Sequence, residues 1–258
     1  MIDLHSHILP ELDDGPKTPA DSIALAGAYE KAGFSDIVAT PHWVFGTNWM
    51  PAAEAVLRKV ADVNREAKNK GLSIAVHAGM EVALGHEIVN LIEEGRILSL
   101  ARGPYILIEA PFQHFPPGWE QILFSISVNG YKIILAHPER SAPLLKDSGL
   151  LKAVLTAGVY LQINSDSLSG SHGKRIQQAA LDLIRNGQAH CLATDSHDAR
   201  HRSPDHFRSV LNQVAEIIGP ENTRILTRHN PANVLQGREM ISLCLPEKKK
   251  TKPKYRFF

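Results

Sequence analysis

Short apolar runs rich in β-branched residues recur along the chain, each followed by a polar turn and a stretch of helical periodicity. The runs lie at 2–5, 36–40, 73–79, 105–109, 132–136, 159–164 and 191–195. They are largely continuous in apolar character, the pattern of strands buried on both faces. Between them, apolar positions returning every three or four residues predict helices over 21–31, 51–70, 119–129, 150–157 and 174–186. Gly33, Gly71, Gly130, Gly158 and Gly187 follow those stretches as stop signals. Strand starts fall 27–37 residues apart, about the length of one βαβ unit. Seven parallel strands are predicted, with closing helices over 204–236. Periodicity alone leaves a barrel and an open doubly wound sheet equally possible.

Composition narrows the class. The 258 residues are 43% hydrophobic and 21% charged, enough to bury a large core and unlike a disordered chain. No stretch approaches the ~18 apolar residues of a membrane span. Met1 leads directly into Ile2-Asp3-Leu4, with no basic and apolar leader, so a cytoplasmic location is expected. The net charge is +1, but six cations and no acid lie in 248–258, which leaves a body near −5. A mildly acidic body speaks against nucleic acid as partner. Two cysteines, Cys191 and Cys244, exclude a disulfide framework and a thiolate zinc site. Neither is followed by the arginine that a Cys-x5-Arg phosphate loop needs.

The informative pattern is where the ligand-type residues fall. Strand one ends in His5-Ser6-His7 and is followed by Asp13-Asp14-Gly15; strand two ends in Thr40-Pro41-His42. Glu81 follows strand three and Glu109 ends strand four. His137-Pro138-Glu139-Arg140 follows strand five, and Asp195-Ser196-His197 follows strand seven. Six of seven strand C-termini carry His, Asp or Glu, and in a parallel α/β protein those ends share one face. His5 and His7, two apart on a strand, point the same way. Five imidazoles (His5, His7, His42, His137, His197) and four carboxylates (Asp14, Glu81, Glu109, Asp195) exceed what one ion needs and suit a cluster of hard or borderline divalent cations. The remaining histidines, among them His77, His172, His190 and His206, read as structural or surface residues.

These motifs resemble the polymerase-and-histidinol-phosphatase (PHP) superfamily, and most closely the PHP-type protein-tyrosine phosphatases of bacterial capsule and exopolysaccharide clusters. The resemblance rests on His5-Ser6-His7-Ile8-Leu9-Pro10 with Asp13-Asp14-Gly15, Ala39-Thr40-Pro41-His42, Gly79-Met80-Glu81, Ala136-His137-Pro138-Glu139-Arg140, Gln162-Ile163-Asn164 with Ser167-Leu168 and Gly170, and Thr194-Asp195-Ser196-His197. It spans residues 1 to about 235. It implies a distorted (β/α)7 TIM-like barrel and three divalent ions, manganese before iron or zinc. By resemblance, His5, His7, Glu81 and Asp195 hold the first ion. Glu81 bridges to a second held by Glu109 and His137, and Asp14, His42 and His197 hold the third. Arg140, and Arg202 five residues after His197, match the phosphate-binding arginines. A phosphatase domain over 1–240 and a basic tail over 241–258 are expected.

The expected chemistry is phosphomonoester hydrolysis by hydroxide generated on the metal at neutral pH, with the arginines balancing charge on the phosphoryl oxygens. The resemblance further implies phosphotyrosines of a bacterial tyrosine kinase as substrate. The aromatic loop 42–51, with Phe112, Phe115 and Trp119, offers a wall for a tyrosyl ring. The basic tail suggests contact with an anionic membrane surface. Competing readings are a small-molecule phosphatase such as histidinol-phosphate phosphatase, a PHP-type phosphodiesterase or exonuclease, a metal-dependent deaminase, and a non-catalytic regulator.

Overall fold

A computed structural model describes residues 1–245 of the chain; the basic run 248–258 lies outside the described residues. Nine parallel strand segments build the centre: β1 (Ile2–Ser6), β2 (Asp36–Ala39), β3 (His42–Trp43), β4 (Ala75–Ala78), β5 (Glu81–Ala83), β6 (Tyr105–Glu109), β7 (Lys132–Ala136), β8 (Tyr160–Asn164) and β9 (Cys191–Ala193). Hydrogen bonding orders them β1-β2-β4 and β3-β5-β6-β7-β8-β9.

The two sheets are one ring seen across two broken strands. β2 and β3 are halves of one strand separated by Thr40-Pro41, where proline has no N–H to give the ladder. β4 and β5 are halves separated by Gly79-Met80, and Glu81 N donates to Pro41 O (3.1 Å), so pairing resumes in register. Gly79 is the residue that fits there without displacement: a Cβ would lie 2.9 Å from Leu100 Cδ2 and 3.0 Å from Val38 Cγ1, which would have to shift. On the far side, Asp195 N donates to His5 O (3.0 Å), His7 N donates to Ser196 O (2.9 Å), and Ser6 bridges Ser196. The ring is therefore a distorted (β/α)7 TIM-like barrel, its two breaks flanking His42 and Glu81.

Alternation along each strand divides the core. Leu4, Val38, Leu107, Ile134 and Cys191 fill the barrel interior with Leu100, Val234 and Met240. Their neighbours Ile37, Ile106, Ile108, Ile133 and Leu135 face the surrounding helices. Each fully buried aliphatic side chain contributes roughly 1.5–3 kcal/mol. The helix Pro19–Ala32 shows why the shell forms: Thr18 and Asp21 make a reciprocal capping box, Pro19 presets the first turn, and Gly33 closes the last with φ 91°.

The bottom of the barrel is sealed by the chain's return. Asn230 donates to Ile241 O and accepts from Ile241 N, Asn222 makes the same double bond with Cys244, and Tyr105 donates to Arg238 O. The apolar run 240–245 is thus docked on the domain. No described helix is long and apolar enough to cross a membrane.

Candidate metal centre

The same strands that bury aliphatics in their first halves end in ligand-type side chains. His5 and His7 project from β1 into the mouth, and both are fully buried. Asp14 reaches it because 13–15 folds back on β1; a Cβ on Gly15 would lie 2.2 Å from His7 O, so only glycine fits. His137 and Asp195, just past β7 and β9, have φ of 35° and 55°. Left-handed backbone at a non-glycine residue costs of order 1–3 kcal/mol. Here the strain turns two ligand-type side chains inward.

A chain of hydrogen bonds fixes how His5 presents itself. The ionised Asp195 carboxylate can only accept, so Asn164 donates its Nδ2 to it (2.8 Å). Asn164 Oδ1 then accepts from Gln162 Nε2 (2.6 Å), which leaves Gln162 Oε1 to accept from His5 Nδ1 (2.8 Å). His7 Nδ1 likewise faces the Asp13 carboxylate (2.7 Å). Both Nε2 atoms therefore aim into the mouth, 3.2 Å apart. Glu81 Oε2 lies 3.3 and 3.5 Å from them, and Asp195 Oδ1 lies 3.4 and 3.3 Å away. A tetrahedral ion with bonds near 2.1 Å separates its ligands by about 3.4 Å. Two imidazole nitrogens facing each other satisfy no hydrogen bond when both are neutral; a cation between them resolves the conflict.

The other ligand-type residues close around this core. Donor atoms of His7, Asp14, His42 and His197 fall within 4.8 Å of one another, as do those of His42, Glu81 and Glu109 and those of His5, His137 and Asp195. All nine side chains singled out from sequence thus meet at one mouth. Glu81 Oε2, His42 Nδ1, His137 Nδ1 and His197 Nε2 are buried and make no well-aligned hydrogen bond; Glu81 Oε2 and His42 Nδ1 face each other at 2.9 Å, and His197 Nε2 faces Asp14 Oδ1 at 3.0 Å. Buried polar atoms are nearly always satisfied. Four exceptions in one cluster of lone-pair donors fit divalent cations.

Electrostatics point the same way. Burial opposes ionisation of Glu81, yet the imidazoles of His5, His137 and His42 hold it well below the usual carboxylate range. Burial likewise opposes the charge on Asp195, and His5 and His7 hold it low. Glu109 is pushed up to about 7 by burial and by the nearby Glu81. Burial and the His7 charge press His197 down to about 4. The neighbours thus keep Glu81 and Asp195 anionic and His197 neutral, the forms in which these groups ligate metals; against burial, Glu81 and Asp195 lift His5 to about 9 and Asp13 lifts His7, so a cation entering between these imidazoles displaces their protons.

Both arginines stand at the rim. Arg140 donates to Asp195 Oδ2 (3.1 Å) and lies over the Phe112 ring at 5.0 Å. Arg202 donates to Asp14 Oδ2 (3.1 Å) and approaches Asp195 Oδ1 at 3.6 Å. They share a 350 Å³ cavity with Asp14, His42, Glu109, His137 and Asp195, and Trp49 and Phe112 line it too. Trp49 stacks on His42 at 4.9 Å and Phe112 on His137 at 5.8 Å. Phe115 and Trp119 instead pack edge to face at 5.5 Å and line a separate hollow, so they are not part of this wall.

Asp13 and Asn164 were not singled out as site residues from sequence, nor was Gln162. Gln162 and Asn164, two apart on β8, share one face, a period-two polar signal inside an apolar strand. Glu139 does not pair with its neighbour Arg140: it is buried, accepts from Asn164 N (3.0 Å), and burial lifts it to about 7.

Fold and site define the class: a parallel α/β barrel with a cation-binding mouth at its C-terminal face. The family model for capsular polysaccharide synthesis proteins CpsB/CapC matches residues 1–236, and the chain belongs to this family. It is 33% identical over 259 residues to tyrosine-protein phosphatase YwqE of Bacillus subtilis (strain 168), with all of both chains covered. Against tyrosine-protein phosphatase CpsB of Streptococcus pneumoniae it is 27% identical over 246 residues, covering 92% of this chain and 99% of that protein. A crystal structure from work on YwqE and CpsB, described as metal-dependent tyrosine phosphatases, superposes with a TM-score of 0.88. Identity is 32%, with 94% of this chain and 97% of that one covered. Histidinol phosphate phosphatase of Lactococcus lactis shares the fold alone (TM-score 0.52, 15% identity, 83% of this chain and 92% of that one).

Proposed function

We propose that the chain is a metal-dependent protein-tyrosine phosphatase that acts on a phosphotyrosine protein, a bacterial tyrosine kinase of capsule or exopolysaccharide synthesis, in the cytoplasm. The observation that carries the reading is the 350 Å³ cavity in which five ligand-type side chains (Asp14, His42, Glu109, His137 and Asp195), two arginines and the rings of Trp49 and Phe112 converge. The names of YwqE and CpsB support the same substrate class.

Three divalent ions, manganese first, fit the donor set: His5, His7, Glu81 and Asp195 for one; Glu81, Glu109 and His137 for a second; Asp14, His42 and His197 for the third. When bound, such ions act as Lewis acids on phosphoryl oxygens and lower the pKa of water to near 7. The chain's own residues do the rest. Arg140 and Arg202 offer planar forks to the equatorial oxygens, where charge spreads in the transition state. Their partners Asp195 and Asp14 hold them at the rim before substrate arrives. Trp49 and Phe112 flank the entrance and take the phenyl ring between apolar faces, which an alkyl phosphate cannot fill. Asp13, Gln162 and Asn164 orient the imidazoles and the Asp195 carboxylate. The tail 248–258, with six cations and no acid, adds attraction to an anionic membrane surface.

The test is a panel of phosphotyrosine peptide, phosphoserine peptide, histidinol phosphate and single-stranded DNA, assayed before chelation, after it, and after Mn²⁺ add-back. Phosphotyrosine peptide leads in kcat/KM, and activity vanishes with chelator and returns with metal. Histidinol phosphate or DNA leading the panel, or activity indifferent to chelation, overturns the assignment.

A further inference from the structure

Two arginines follow β9 two residues apart, and the fold sends them to different places. Arg202 lines the catalytic cavity, whereas Arg200 lines a neighbouring hollow of 460 Å³. We propose that Asp198 makes this choice: it is the positioning residue that folds the turn 198–202 and so sets Arg202 against the phosphoryl group. The proposal rests on the role given to Arg202 above and goes on to say how the chain supplies it.

The turn closes on itself. Arg202 O accepts from His197 N (2.9 Å) and from Asp198 N (3.3 Å), so the chain returns to the point it left. The Asp198 carboxylate fills the inside. It accepts from the backbone N–H groups of Arg200 (2.7 Å), His201 (2.6 Å) and Arg202 (3.3 Å). Asp and Asn favour turns because their side-chain oxygen takes backbone N–H groups a few residues on. His201 Nδ1, 3.8 Å from the carboxylate, is too far for a hydrogen bond. Asp198 therefore acts on the backbone of its neighbours and not on their side chains.

This fixes which arginine reaches the mouth. Ala199 packs against the hydrophobic core and holds the middle of the turn down. With ends and middle fixed, the last residue of the turn, Arg202, meets Asp14 (3.1 Å) and Asp195 (3.6 Å). Arg200 is exposed and falls outside the catalytic cavity.

Backbone support matters because the side-chain contacts are given up. When Arg202 turns its fork to phosphoryl oxygens, it releases Asp14 and Asp195. Arg140 has the Phe112 ring at 5.0 Å as a second support; for Arg202 the Asp198 turn is what stays. A donor already held in place loses less entropy when substrate binds.

The experiment is a double-mutant cycle in the full-length, Mn²⁺-saturated enzyme. It reads kcat/KM on a phosphotyrosine peptide and, by calorimetry on the stripped protein, Mn²⁺ affinity. Arg202→Ala lowers kcat/KM about 30-fold, the loss of hydrogen bonds to a charged group. Asp198→Ala lowers it about tenfold, the effect of losing a cap on backbone N–H groups, with Mn²⁺ affinity unchanged. Asp198→Asn keeps an acceptor oxygen and stays within about twofold of wild type. In the Arg202→Ala background, Asp198→Ala has no further effect, because that arginine is its route to the chemistry. Arg200→Ala matches wild type in both measurements. Wild-type activity of Asp198→Ala overturns the positioning role. So does an Asp198→Asn enzyme as poor as the alanine variant, or a loss that persists without Arg202. Weaker Mn²⁺ binding in step with the activity loss assigns the effect to the neighbouring His197 and overturns it too. An Arg202→Ala enzyme as active as wild type removes the arginine from the proposed function, and this inference with it.

Discussion

The two ends of this barrel are built from the same strands and solve opposite problems. At the bottom, Leu4, Val38, Leu107, Ile134 and Cys191 interlock, and the polar groups that reach them are paired, as Tyr105 is with Arg238 O. At the mouth, one to four residues further along the chain from each, buried imidazoles and carboxylates crowd together, four of their atoms with no well-aligned hydrogen bond. The bottom lowers the free energy of the fold; the mouth raises it unless cations are bound. Stability and activity should therefore separate by position along a single strand.

The sharpest way to test this separation is on β1. His5→Ala removes a ligand-type nitrogen facing His7, Glu81 and Asp195, and turnover should fall roughly 10³-fold or more. Circular dichroism and the unfolding midpoint of the metal-free protein should stay near wild type. A variant that retains turnover would break the assignment of the mouth. Three strands round the ring, Leu107→Ala on β6 should do the reverse. It empties a fully buried interior position at a cost of about 3 kcal/mol. Denaturant titration reads this loss, while kcat per folded molecule stays close to wild type.

A smaller effect probes the layer between the two ends. Gln162→Ala frees His5 Nδ1 and breaks the amide chain to Asp195. Metal affinity should drop about 10–100-fold. Titration of the stripped protein with Mn²⁺, followed by calorimetry, measures it. An unchanged affinity would show that the Asn164–Asp195 bond alone orients the site.

How much of this was legible beforehand follows from the physics of each element. Strand ends could be read because an apolar run that stops at His, Asp or Glu is unusual and position-specific. Arg140 and Arg202 could be placed at the mouth only through the resemblance, as matches to the family's phosphate-binding arginines. The break at Gly79-Met80 could not be foreseen, since it depends on the close approach of Leu100 and Val38 to Gly79, and the one at Thr40-Pro41, although marked by a proline, follows a run that otherwise reads as one uninterrupted strand. The helices Ile88–Glu93, Ala142–Lys146 and Ser165–Ser169 are too short for a period to show. Asp13 and Asp14 are adjacent in one turn, and only the fold reveals that one orients His7 while the other enters the mouth. Phe115 and Trp119 belong to the same aromatic stretch as Phe112, yet the turn of the chain carries them to another hollow.

The mildest prediction concerns the bottom and uses proton linkage. His190 stands at the entry to β9, edge-on to Tyr160, and its Nδ1 accepts from Leu161 N at 3.0 Å. Burial presses its pKa down to about 4, against an ordinary value near 6.5. Between these values the unfolded chain binds a proton that the folded chain refuses. The resulting stability is fully present above pH 6.5 and is lost as pH falls toward 4. The loss should reach about 1–2 kcal/mol at pH 5, allowing for partial exposure. His190→Gln supplies an amide oxygen as acceptor but cannot titrate, so its unfolding free energy should fall less steeply between pH 7 and pH 5. Denaturant curves for both proteins at each pH give the difference. Parallel slopes would mean that the bottom of the barrel, like its interior, carries no titration of its own.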